Sequence, residues 1–113
     1  MKSLQESELF RTGYLADGQW HQAASTFDVT NPATGEVIAQ VAKAGKAETE
    51  QAIAAAERAF PAWRAKTAKE RADILTRWYQ LIIENKRWLG QLMTTEQGKP
   101  LKEAEGEVEY AAS

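Results

Sequence analysis

The hydrophobic pattern of this chain changes period once, close to Ala47, and that change limits its fold more than any other feature. Before it, short apolar runs are broken by Asp-Gly, Asn-Pro and Thr-Gly pairs. After it, apolar residues recur three and four positions apart as far as Ala111. Side chains alternate across a strand and climb one face of a helix, so the two periods belong to different elements. The pattern predicts two β-hairpins followed by about four α-helices.

The hairpins follow from turn chemistry. Gly13-Tyr14-Leu15-Ala16 and Gln19-Trp20-His21-Gln22 flank Asp17-Gly18. Both central residues of a two-residue hairpin turn need positive φ, which Gly adopts freely and Asp tolerates. Thr26-Phe27-Asp28-Val29-Thr30 reads as an extended, β-branched run. Pro32 pushes Asn31 out of the helical region, Thr34-Gly35 completes a turn, and Glu36–Val41 reads as the return strand.

The helices carry their own punctuation. Ile53, Ala56, Phe60 and Trp63 form a first apolar stripe, with the helix expected to end or kink near Phe60 because Pro61 has no amide to donate. Thr67-Ala68-Lys69-Glu70 is a capping box. The helix it opens should bury Leu75, Trp78, Tyr79 and Ile82. Asn85 is positioned to cap a third helix carrying Leu89, Leu92 and Met93, and Gly98 to end it in the left-handed conformation. Pro100 suits the first position of a fourth helix, with Leu101, Ala104, Val108 and Ala111 along it.

At 113 residues, with 43% hydrophobic and 27% charged, the composition is that of a globular chain. A net charge of -2 offers no basic face for nucleic acid. No apolar run approaches bilayer length. Met1–Glu8 has no apolar core and carries acids, which is unlike a signal or transit peptide, so the cytoplasm is the expected compartment. The cysteine count is 0, so neither a disulfide nor a thiolate nucleophile can form. There is no internal repeat, low-complexity tract or linker, and residues 1–113 read as one piece without an internal boundary.

Several residues invite a chemical reading and have a plainer one. Gly45-Lys46 and Gly98-Lys99 lack the spacing and the following Ser or Thr of a phosphate loop, and read as helix punctuation. His21 is the only histidine, too few for a metal cluster. Glu103, Glu105, Glu107 and Glu109 pair at i, i+4 along one helix, which reads as a solvated acidic face rather than two carboxylates across a cleft. Trp20, Trp63, Trp78 and Trp88 have no basic groove beside them for base stacking, and read as core anchors or subunit-contact residues.

The order of motifs resembles the N-terminal stretch of aldehyde dehydrogenases. The residues that carry the likeness are Asn31-Pro32-Ala33-Thr34-Gly35-Glu36, Phe60-Pro61-Ala62-Trp63, Thr67-Ala68-Lys69-Glu70-Arg71 and Glu96-Gln97-Gly98-Lys99-Pro100-Leu101. It runs nearly end to end, and the branch it most resembles is the NAD(P)-dependent succinate-semialdehyde dehydrogenases. The resemblance implies an α/β fold, with this chain as the N-terminal part of the cofactor-binding domain. It implies a complete enzyme that is a homo-oligomer (dimer or tetramer) and oxidises succinate semialdehyde to succinate with NAD or NADP, in 4-aminobutyrate catabolism. In such an enzyme a cysteine thiolate attacks the aldehyde, hydride passes to the nicotinamide, and water hydrolyses the thioester. No residue here matches that nucleophile, the general base, the oxyanion hole or the cofactor loops, so no catalytic or cofactor-binding residue is assigned.

One site carries over from the resemblance. A monovalent cation, sodium, would sit on the carbonyls of Val29 and Thr30 and the carboxylate of Glu96, hard oxygen donors suited to it. Many relatives have Asp where Glu96 stands; alternatively Glu96 serves only the loop or the helix end. Two readings of the whole remain open. In one, the chain is a partial aldehyde dehydrogenase, as the absence of a helix stop before Ser113 suggests, and is inactive alone. In the other, it is a standalone, non-catalytic interaction or assembly module derived from the family.

Overall fold

The computed structural model describes residues 3–113. Met1 and Lys2, part of the stretch read as unlike a leader, lie outside the described residues. A short 3-10 turn at Leu4–Glu6 precedes four strands: β1 (Tyr14–Ala16), β2 (Gln19–His21), β3 (Thr26–Thr30) and β4 (Val37–Ala42). Four helices follow: α1 (Lys46–Ala65), α2 (Ala68–Glu84), α3 (Lys86–Gln97) and α4 (Leu101–Ala112). Among the described residues the strands pair as β1-β2 and β3-β4. The architecture is therefore the expected one of two hairpins and four helices.

Contacts divide the chain into two compact units. The first comprises residues 3–29 and 37–66 of the described chain, and the second residues 30–36 and 67–113.

In the first unit, β1 and β2 run antiparallel with Tyr14 opposite His21 and Ala16 opposite Gln19. The turn between them holds Asp17 at φ 54° and Gly18 at φ 71°, as the Asp-Gly pair predicts. Ala16 and Ala55 are both buried, at 6% and 5% exposure, and α1 packs against β1. Alanine at this contact brings a helix close to a strand without large side chains between them. Tyr14 Oη donates to Gln51 Oε1 at 3.2 Å, and Arg58 lies 3.7 Å from Asp17, fastening the same pair of elements.

Helix α1 continues through Pro61 to Ala65, so it does not end near Phe60. Pro61 removes one amide, and the i−4 carbonyl that loses it belongs to Glu57. Both residues are exposed, so water can take the freed carbonyl. The true end lies at Lys66, in extended conformation, whose amide donates to Trp63 O at 3.2 Å. The next residue, Thr67, already caps α2.

In the second unit the capping box forms as read. Glu70 N–H donates to Thr67 Oγ1 at 3.2 Å, and Thr67 N–H donates to Glu70 Oε2 at 2.7 Å. Helices α3 and α4 pack most closely, α2 against α4 less so. Ala104 is fully buried and Val108 5% exposed. Gly90 is buried where a Cβ would lie 2.8 Å from Glu105 Cγ and 3.3 Å from its backbone nitrogen. A side chain there would push the two helices apart.

Two helix-end readings need correction. Asn85 occupies the N-cap of α3 without a capping bond; its side-chain amide donates back to Leu81 O at 2.8 Å. Its φ of -103° and ψ of 11° fit a residue that closes α2 while opening α3, so its side chain serves the preceding carbonyls. Pro100 sits at the N-cap of α4 rather than its first helical position, with ψ 139°.

Candidate functional site

The second unit joins two of the recurrent motifs. Asn31 N–H donates to Glu36 O at 2.9 Å, closing the turn, and Asn31 Oδ1 accepts from Ala33 N–H at 2.9 Å. Gly35 provides the positive φ, 75°. Gly98 ends α3 at φ 82° and donates its amide to Thr94 O at 2.8 Å. A Cβ on Gly98 would stand 2.9 Å from Pro32 Cγ. The Asn-Pro turn and the Gly-Lys-Pro corner thus meet at a residue that needs both the left-handed conformation and the missing side chain. Lys99 then pairs with Glu107 of α4, so this lysine is an ion-pair partner and Gly98-Lys99 is punctuation. Gly45-Lys46 is punctuation too: Gly45 caps α1 and donates to Glu48 Oε2 at 2.9 Å.

Of the residues assigned to a cation, Val29 and Thr30 end β3, Val29 in the first unit and Thr30 in the second. Glu96 lies exposed in the last turn of α3, and its carboxylate has no ion pair among the described residues. No group of three or more His, Cys, Asp or Glu that could hold a metal occurs among the described residues. Thr94 Oγ1, one turn before Gly98, is buried without a hydrogen-bond partner.

The acidic run of α4 is only partly a solvated face. Lys86, at the start of α3, donates to Glu109 Oε1 at 2.6 Å. Hydrogen bonding and charge from Glu109, with Glu105 adding, raise the Lys86 ammonium above the ordinary lysine range. Glu105 covers Gly90. Glu105 and Glu109 therefore serve the packing of α4 on α3, Glu107 pairs with Lys99 in the corner before α4, and Glu103 lies in the first turn, where a negative charge suits the helix end. His21 packs in its hairpin: Nε2 lies 3.0 Å from Ala16 O and the ring stacks on Tyr14 at 5.3 Å.

The stripe expected to be buried on α2 is mostly open. Leu75 is 51% exposed, Trp78 62% and Tyr79 47%, and only Ile82 is partly covered. Together with Thr76 and Ala111–Ser113 they line a shallow groove of about 450 Å³. Periodicity identified the apolar face correctly, but α4 covers only part of it and no other described residue covers the rest. Ile53 and Phe60 on α1 are likewise exposed, at 62% and 56%. Of the tryptophans, Trp63 and Trp88 are partly buried, while Trp20 carries the Arg11 guanidinium 5.4 Å from its ring centre.

Among the described residues no sheet exceeds two strands. No described helix is long and apolar enough to cross a membrane.

The sequence profile of the Aldehyde dehydrogenase family matches residues 20–113. The chain belongs to the aldehyde dehydrogenase family. Its relatives include the glutarate-semialdehyde dehydrogenase of Pseudomonas putida, 58% identical over 112 residues, a match to 97% of this chain and 23% of that protein. The NADP-dependent succinate-semialdehyde dehydrogenase of Escherichia coli is 54% identical over the same shares. A crystal structure of succinate-semialdehyde dehydrogenase from Burkholderia pseudomallei superposes with a TM-score of 0.93 at 51% identity, covering 99% of this chain and 24% of that one. An E. coli NADP-dependent enzyme gives the same TM-score at 54% identity. The fold is that of an N-terminal segment of an α/β aldehyde dehydrogenase domain, and the chain spans under a quarter of the length of the curated relatives it matches.

Proposed function

We propose that this chain is the N-terminal segment of an enzyme that oxidises a short aldehyde bearing an anionic group at its far end, succinate semialdehyde to succinate in the first instance, with NAD or NADP. The observation that carries this reading is the set of names among its relatives. Glutarate-semialdehyde, succinate-semialdehyde and 3-sulfolactaldehyde dehydrogenases are 58%, 54% and 51% identical to it. Each of those named substrates is an aldehyde with a carboxylate or sulfonate. Residues 1–113 are then one piece of a larger domain, and the complete protein is a cytoplasmic homo-oligomer acting in 4-aminobutyrate catabolism. The chain alone is inactive, since it has 0 cysteines to supply the thiolate. Sodium on the Val29 and Thr30 carbonyls and the Glu96 carboxylate belongs to the same reading; the hard oxygen donors support it, as does a Glu96 carboxylate with no ion pair among the described residues.

The test exchanges the corresponding segment of the E. coli succinate-semialdehyde dehydrogenase for residues 1–113. The chimera is expected to reduce cofactor with succinate or glutarate semialdehyde, and to prefer them over an uncharged aldehyde of equal length. The 113-residue chain by itself should give no reduced cofactor above a blank. A folded but inactive chimera, or turnover that follows the isolated chain through chromatography, would overturn the reading.

The alternative, a non-catalytic interaction module, draws on the exposed apolar face of α2. It predicts a stable complex of the isolated chain with a partner and no contribution to the chimera.

A further inference from the structure

We draw no further inference here: the strongest candidate, the open apolar groove between α2 and the end of α4 lined by Leu75, Trp78, Tyr79 and Ile82, carries nothing because nothing in the structure shows whether a further stretch of aldehyde dehydrogenase chain, a second copy or another protein covers it.

Discussion

Gly98 and Gly35 both have positive φ, 82° and 75°, but only one of them is crowded. Nothing lies within 4 Å of a Cβ added to Gly35, whereas Pro32 Cγ lies 2.9 Å from one on Gly98. Alanine at Gly35 therefore reports backbone strain alone, about 1 kcal/mol for a non-glycine residue held left-handed. Gly98→Ala adds the collision with Pro32 and is expected to lose more, about 2–3 kcal/mol. Urea midpoints of the two variants, measured in the E. coli chimera that carries residues 1–113, test this; equal losses would mean that the Asn-Pro turn yields at no cost. Thr67→Ala belongs to the same scale. It removes the hydroxyl that accepts the Glu70 amide and is expected to lower stability by about 0.5–2 kcal/mol. An unchanged midpoint would mean that the capping box contributes nothing in solution. All three positions are readable in the sequence, because caps and left-handed turns are local and need only a few neighbouring residues.

At the scale of elements, the α3–α4 pair is held by a close approach at Gly90 and an ion pair at Lys86. The raised Lys86 ammonium has a definite consequence. A cation whose pKa is higher folded than unfolded adds stability that is complete below the unfolded lysine value, about 10.4, and is lost as pH rises through the higher folded value. In the same chimera, Lys86→Met should therefore lower the melting temperature near neutral pH and narrow its difference from the unsubstituted chimera as the pH climbs past about 10.4. A constant difference up to the most alkaline pH would show that Lys86 acts through packing alone. Glu48 behaves in the opposite sense. Its own backbone amide first, and then that of Gly45, hold its carboxyl below the ordinary range. Its contribution at the start of α1 is present above the unfolded glutamate value and disappears as the pH falls through the lowered one. Pro61 shows where local rules stop: the proline rule is sound for a buried helix, but an exposed carbonyl can turn to water and the helix runs on.

For the molecule as a whole, surface is the decisive quantity. Its accessible area is 8500 Å². A folded monomer of this mass exposes about 6200 Å², and two separate bodies of half the mass about 7500 Å² together. The excess remains even when the two units are counted apart. It is rich in large apolar side chains: Ile53, Phe60, Trp78 and Tyr110 are each more than half exposed. Soluble monomers rarely show so much. The isolated chain is therefore expected to self-associate or to remain a loosely packed helical species. Light scattering should rise with concentration, and near-UV circular dichroism from its four tryptophans should be weak. A monodisperse monomer with sharp near-UV bands and one cooperative melt would refute this and favour the interaction-module reading.

What could be read in the residues and what could not divides along the range of the forces involved. The Asp17-Gly18 turn, the Thr67–Glu70 box and the Gly98 cap are set by contacts within a few positions, and the motif order from Asn31 to Leu101 was enough to place the chain in its family. Periodicity also found the apolar face of α2, since it needs only the spacing of Leu75, Trp78, Tyr79 and Ile82. It could not tell whether that face is covered, because burial depends on which distant segment arrives there. The same holds for the meeting of Pro32 with Gly98, for Lys86 reaching Glu109 across 23 positions, and for Asn85 turning its amide back to α2. Those contacts join residues that the chain's own spacing leaves unrelated, and only the tertiary fold, which brings α4 against α3 and the Asn-Pro turn against the end of α3, decides them.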